Sequence, residues 1–343
     1  MRRKAIALLT AGAAALSGAS CLAENEKEAG AGVKGVRYIG VTVSDIDDTL
    51  AFYNQGVAYD VIERKTVDVS SLPDQLLSAP RGKADVALVK LPNVYLRLID
   101  FDPDAKEAPS IRPVIGPGYT HICYISPATN SAYDKFRAAG LDMVSRGDGP
   151  VDIGGYGMLY AYGRDPDGTM IEMEVASKPR RADDFWVGHI AVTTPDIERM
   201  LAFYSDVIGY GPRRRTAQEN HPKIDAIADI DNAKIKGGWF ALRNMELEVW
   251  TYERPETPSR EEPAMLDGLG YNSIAFEVDD LDAEMIRLRE EGLDFTGEPA
   301  EEAGWRVAYA YDPDGNLISF QENASGDPSL SIDPLLWIDP ETF

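Results

Sequence analysis

This chain is poor in the residues on which much protein chemistry depends. Its 343 residues include two cysteines, Cys21 and Cys123. Two cannot build a disulfide framework or a cysteine-rich zinc module. Cys21 lies in the N-terminal segment, and Cys123 sits in the apolar run HICYIS, where it reads as a buried, inert thiol. Histidine occurs three times, as His121, His189 and His221. Positive charge is short as well: 34 Lys and Arg against 57 Asp and Glu leave a formal net charge of −23, which argues against nucleic acid as a partner. No apolar run is long enough to span a bilayer permanently. The glycines at 154, 155 and 157 lack the context of a phosphate loop and read as a turn. The DPDG stretches at 165–168 and 312–315 lack the further carboxylates of an EF-hand, which sets calcium aside.

What the chain does have is a repeat. YIGVTVSDIDDTLAFY at 38–53 is answered by HIAVTTPDIERMLAFY at 189–204. GYTHICYIS at 118–126 is answered by GYNSIAFEV at 270–278, and YAYGRDPDGTMIEMEV at 160–175 by YAYDPDGNLISFQ at 309–321. A period of roughly 150 residues is a whole-domain duplication, too long for a solenoid. It divides the chain into a first module at 35–175, a charged, Pro-containing linker at 176–184, and a second module at 185–323. A tail at 324–343, with Pro328, Pro334 and Pro340 and the apolar Leu335, Leu336 and Trp337, is expected to pack across a module as an extended segment.

Ahead of the repeat, Arg2, Arg3 and Lys4 precede an apolar stretch from Ala5 to Leu16. That pattern predicts a signal peptide at 1–23, cleaved after Ala23, followed by a polar tether at 24–34. A second reading makes Cys21 the lipidated first residue of a lipoprotein. Either reading predicts a periplasmic or secreted protein, membrane-anchored in the second case.

Each module reads as strand–helix–three strands, twice over, an α+β pattern. Helices are expected from Asp45 to Tyr53 and at 129–139, 196–207 and 280–291. Strands are expected at 83–91, 93–100, 119–126, 142–146, 157–163 and 169–175.

The strand–Asp–LAFY openings, the GYTH and GYNS strands and the DPDG turns together resemble the vicinal oxygen chelate superfamily. It includes glyoxalase I, extradiol dioxygenases, fosfomycin-resistance enzymes and bleomycin-binding proteins. The resemblance spans about residues 35–323. It implies two tandem glyoxalase-like modules of paired βαβββ units, forming U-shaped mixed sheets around a metal cavity. Matching the family's ligand strands gives Tyr38, Arg97, His121 and Glu172 in the first module, and His189, Glu248, Ser273 and Ser319 in the second. Neither set is complete. If the halves are exchanged between modules, His121, Glu172, His189 and Glu248 meet in one cavity, and Tyr38, Arg97, Ser273 and Ser319 in the other. Two imidazoles and two carboxylates suit one divalent ion (Fe, Zn, Ni, Co or Mn). Glu172 and Glu248 are then the candidate acid–base groups. Glu174 and Glu246 share their faces, so a two-residue slip stays open.

Other residues are less decisive. Tyr156 and Tyr160 could line the cavity mouth. Arg213, the first of three successive arginines, could grip a substrate carboxylate or belong to a solvated edge. His221 is a surface residue or a group over the cavity. The function expected is an exported metal-dependent lyase or isomerase of the glyoxalase type acting on a small oxygenated substrate. The alternatives are an Fe(II) extradiol-type ring-cleaving dioxygenase and a metal-free small-molecule-binding protein of the bleomycin-resistance kind. The tandem arrangement can complete its cavities within one chain, so a monomer suffices and a dimer is compatible.

Overall fold

The computed structural model describes residues 32–70, 72, 76–79, 82–102, 113–178, 185–302 and 304–337. The signal peptide expected at 1–23, with Cys21, lies outside the described residues. So do most of the tether and linker and the end of the tail. No helix among the described residues is long and apolar enough to cross a membrane.

Four βαβββ units follow one another. The first holds β1 (Val33–Thr42), α1 (Ile46–Gly56), β2 (Asp60–Asp68), β3 (Lys83–Lys90) and β4 (Tyr95–Asp102). The second holds β5 (Gly118–Pro127), α2 (Ala132–Ala138), the short β6 (Asp142–Met143) and β7 (Val151–Asp152), then β8 (Met158–Arg164) and β9 (Met170–Ala176). The third holds β10 (Trp186–Thr193), α3 (Ile197–Ile208), β11 (Arg214–Glu219), α4 (Pro222–Ala228), β12 (Lys234–Ala241) and β13 (Glu246–Arg254). The fourth holds β14 (Gly270–Val278), α5 (Leu281–Glu290), β15 (Ala300–Glu302), β16 (Trp305–Tyr311) and β17 (Leu317–Asn323).

Local chemistry sets the helix starts. Asp45, Asp196 and Asp280 cap α1, α3 and α5 by accepting from the backbone N–H three residues on, and Ser131 does the same for α2. Each such cap is worth ~1 kcal/mol. The helix α4 was not expected from the sequence. Its signature is short: His221 as cap, Pro222 in the first turn, and Ile224, Ile227 and Ala228 on one face.

The units pair crosswise. One sheet has the order β15-β16-β17-β14-β1-β4-β3-β2, so the first unit joins the fourth. The other runs β11-β12-β13-β10-β5-β9-β8-β6, so the third joins the second, with β7 beside β8. Both sheets are mixed: β1 and β14 are antiparallel at the centre of one, and β10 and β5 at the centre of the other, while their outer neighbours β4, β17, β13 and β9 run parallel to them.

A reciprocal clamp ties the two sheets together. Asn93, buried in the β3–β4 turn, bonds the backbone N–H and C=O of Val187 at 2.9 and 2.7 Å. Asn244, buried in the β12–β13 turn, bonds the N–H and C=O of Val36 at 3.0 and 2.8 Å. The bulged central strands would otherwise leave these backbone groups buried and unpaired, at a cost of ~1–3 kcal/mol each.

The repeated LAFY and DPDG motifs prove to be partners. Tyr53 donates to Asp165 and Tyr204 to Asp312, each at 3.1 Å. The second aspartate of each turn reaches the neighbouring helix start, through Ser44 to Asp167 and Arg199 to Asp314. Gly168 and Gly315 close the two turns at φ of 77° and 75°, a left-handed conformation that favours glycine.

Burial, only partly offset by the turn's N–H donors, pushes Asp165 up to about 7 and Asp312 up to about 6. A carboxyl whose native pKa exceeds its unfolded one favours the fold most at low pH. It gives that contribution up as pH rises through the native value. In urea titrations with chelator present, wild type should therefore lose stability relative to Asp165→Asn between about pH 4 and pH 8, at up to ~1.4 kcal/mol per unit. A difference that stays flat across this range would count against a buried, pKa-raised Asp165.

Candidate metal centre and cavity

The sheet built from the second and third units curves around a cavity, and four strands place one side chain each at its floor. β5 brings His121, β9 brings Glu172, β10 brings His189 and β13 brings Glu248. His121 and Glu248 both pair in register with Ala191 of β10, one from each side. The bulges of β10 on either side of Ile190–Ala191 set the side chains across the central pair.

All four residues are buried. His189 Nε2 lies 2.8 Å from a Glu172 oxygen and 3.1 Å from Glu248 Oε2. His121 Nε2 lies 3.3 and 3.4 Å from the same two carboxylates. The two Nε2 atoms are 3.3 Å apart. His121 Nδ1 is 3.2 Å from Thr120 Oγ1. A proton on Nδ1 donated to that hydroxyl leaves the Nε2 lone pair facing inward.

Burial alone would lower both imidazoles, but Glu172 and Glu248 more than offset it and hold His121 and His189 above the usual range. Burial likewise opposes ionisation of the two carboxylates, yet the facing imidazoles hold both low. The cluster is thus built to hold positive charge at its centre. Glu248 Oε2 is buried and its near polar neighbours are the two imidazoles. Four side chains aimed at one point fit a divalent ion, and ligands held at 2.0–2.2 Å from one ion have such spacings. The donor set of imidazole and carboxylate suits Zn, Ni, Co, Fe or Mn.

Above this floor the cavity opens to about 810 Å³. Its walls are aromatic: Tyr160, Tyr162, Trp186, Trp239, Trp250 and Tyr252. The Tyr162 ring packs 4.9 Å from that of His121. Tyr156 and Trp337 stand at the wall 68% and 67% exposed, so the tail reaches this cavity.

Among the arginines, Arg214 and Arg215 reach the cavity wall, and Arg213 is not among the lining residues. Arg213 lies in the turn ahead of β11, where its backbone N–H donates to the Trp239 carbonyl, while the Arg214 side chain lies over the Trp239 ring and donates to Glu246 at 2.8 Å. Glu246 is fully buried, and its other oxygen is unpartnered. His221 does not line the cavity. Its Nδ1 caps α4 by accepting from the Ile224 N–H at 3.4 Å, and it is the helix itself, through Ile224, Ile227 and Ala228, that roofs the cavity.

The matching place in the other sheet is closed. Arg97 and Gln321 both donate to the Tyr38 hydroxyl at 2.9 Å, Gln321 also donates to Ser319 at 2.9 Å, and Arg37 donates to Gln321. Arg97 is further held by Glu302 at 3.5 Å. The tail completes the filling with Ile332 and Leu335, buried against Tyr38, Leu88 and Tyr95.

Two descriptions of the Glyoxalase/Bleomycin resistance protein/Dioxygenase superfamily match the chain, one over residues 35–173 and one over 188–309. Lactoylglutathione lyase of Schizosaccharomyces pombe is 23% identical over 303 residues, 82% of this chain and 94% of that protein. Lactoylglutathione lyase of Haemophilus influenzae is 26% identical over 140 residues, 40% of this chain and 92% of that protein. The crystal structure of glyoxalase I from Zea mays matches with a TM-score of 0.58 at 18% identity, covering 86% of this chain and 95% of that one. With both modules matched and the fold shared, this chain belongs to the Glyoxalase/Bleomycin resistance protein/Dioxygenase superfamily as a tandem, two-module member.

Proposed function

We propose that this protein is a lyase or isomerase of the glyoxalase type, working with one divalent ion held by His121, Glu172, His189 and Glu248. The observation that carries the reading is the meeting of these four buried side chains, two from each module, with Glu172, His189 and Glu248 lining one open cavity and His121 just behind them. The relatives named lactoylglutathione lyase support the same reaction class.

Bound there, the ion would supply Lewis acidity to a substrate oxygen. The chain's own residues supply the rest. Glu248, a carboxylate on the cavity lining, is the group placed to take a proton from a carbon beside that oxygen and return it to the neighbouring carbon. Glu172 faces the same two imidazoles, closest to His189 at 2.8 Å, and helps keep the floor in shape. The aromatic walls and α4 keep water away from the exchanged proton. Tyr156 and Tyr160 sit on the wall where a substrate body would lie, and Arg214 and Arg215 are the cations available to its acidic groups. Four protein donors leave fewer open positions than a catechol and dioxygen need together, which favours isomerisation over ring cleavage.

Purified protein should bind about one equivalent of Ni²⁺ or Mn²⁺ per chain, with tight binding lost in His121→Ala and in His189→Ala. Tyr38→Phe and Ser273→Ala should keep it, because that cavity is already filled. Two tight equivalents, or wild-type affinity in either histidine variant, would remove the assignment.

The reaction class has its own test. A panel of small α-oxoaldehyde–thiol adducts and hydroxyketones should show metal-dependent isomerisation without oxygen consumption. Oxygen uptake on a catechol panel with Fe²⁺ would instead establish the dioxygenase reading.

The basic and apolar N-terminus supports export of the mature chain to the periplasm or beyond. Fractionation of expressing cells should find a processed product outside the cytoplasm, and an unprocessed cytoplasmic chain would end that reading.

A further inference from the structure

One step from the four-residue floor lies another group of donors, of which Glu172, Glu174 and His189 line the cavity. Cys123 follows His121 by two residues on β5, and Glu174 follows Glu172 by two on β9. Alternation keeps both on the faces of those ligands. A Cys123 sulfur, a Glu172 oxygen, a Glu174 oxygen and a His189 nitrogen all lie within 4.8 Å of one another. Donors held tetrahedrally at 2.0–2.3 Å from one ion are roughly 3.3–3.8 Å apart, so side-chain adjustments of up to about an ångström bring this set onto a single centre.

The surroundings suit that use. Glu174 lines the open cavity, which gives an ion a route in. Cys123 sits where the polar floor meets an apolar cluster of Ile125 and Trp186. Its sulfur is turned toward Glu172 as well as toward that cluster. The glycine at 188 makes room for the Ile125 side chain beside Cys123: a Cβ there would lie 2.6 Å from Ile125 and 3.6 Å from the Cys123 sulfur.

We propose that the cavity holds a second, overlapping metal position, formed by Cys123, Glu172, Glu174 and His189, which takes thiophilic divalent ions. The proposal rests on the four-residue centre described above, since Glu172 and His189 are common to both positions. An imidazole Nε2 has one lone pair and serves one ion at a time. The two positions therefore exclude each other as four-ligand sites, and the chain still holds one ion. The choice between them follows softness: thiolate favours Zn²⁺ and Cd²⁺, while two imidazoles and two carboxylates suit Ni²⁺ and Mn²⁺. Binding at the second position exchanges the S–H bond for a sulfur–metal bond and releases the proton to solvent. No oxidation state changes.

Cadmium and nickel separate the two positions in the purified full chain. Cd²⁺ should bring up an ultraviolet thiolate-to-metal charge-transfer band that saturates at one equivalent. Cys123→Ser should lose the band. Because even outer-shell mutations cost ~10–100-fold in metal affinity, loss of this direct ligand should weaken Cd²⁺ binding by at least about tenfold. Glu174→Gln should also weaken Cd²⁺ binding, and neither variant should change Ni²⁺ affinity. His121→Ala should do the reverse, losing Ni²⁺ and keeping the cadmium band. Cadmium binding without a sulfur band in wild type, or equal Cd²⁺ affinity in Cys123→Ser, overturns the second position. Absence of Ni²⁺ binding in wild type, with the cadmium band present, overturns the first position and leaves the second standing.

Discussion

The antiparallel pairing of β10 with β5 is the interaction on which the rest depends. It joins a strand from the second module to one from the first, and it places His189 beside His121. The mirror pairing of β1 with β14 follows from the same exchange. Had each module closed on itself, His121 and Glu172 would have faced Tyr38, and His189 would have faced Ser273 and Ser319. The exchange is held by backbone ladders and by the Asn93 and Asn244 clamps, which satisfy buried peptide groups across the sheets. It is reinforced within each module by the LAFY tyrosine on the DPDG aspartate. The chain thus crosses its sheets while keeping each module's helices together, as the packing of α1 near α2 through Phe52 and Phe136 shows.

The two cavities have diverged in opposite physical directions. One keeps a compact group of ionisable side chains out of water, which is unfavourable unless a charge at the centre compensates. The other has Tyr38, Arg97, Ser273 and Ser319 at the ligand positions; Tyr38, Arg97 and Ser319 are linked in a network with Gln321, Ser273 donates to Asn272, and the tail closes the space. In that network the hydroxyls and the amide find partners within the protein, and the tail removes apolar surface from water. The filled cavity can serve as scaffold for the open one, because both sheets are fixed to each other by the same two asparagines.

Much of this was legible because the chain repeats itself. Matched positions exposed the split of ligands between modules, and the α+β pattern with four βαβββ units followed from strand alternation and capped helices. The site residues His121, Glu172, His189 and Glu248 were named from motif positions, and the structure brings them together. Other features left weaker traces. The run of three arginines fixes no facing without the turn that precedes β11, so the sequence points to Arg213 whereas Arg214 and Arg215 are the residues on the cavity wall. The insert TAQENHPKID hid α4, since its seven residues, about two turns, are shorter than the window in which periodicity shows. Asn93 and Asn244 sit in turns, where asparagine is common for local reasons, and nothing local reveals a partner on another sheet. The aromatic wall drew its members from both central units, and only the crossed topology assembles them.

The position of Cys123 shows how one strand face can carry two kinds of constraint. Its apolar neighbours alone would make any small residue acceptable there. Its other neighbours are two carboxylates and an imidazole, an environment in which burial and negative charge push the thiol well above its ordinary range and keep it protonated. A protonated thiol in that place is unreactive until a cation arrives, and a cation is what the surrounding groups attract. Inertness in the free protein and competence as a ligand are therefore not opposed. They are consequences of the same cluster of charge, read with and without an ion at its centre.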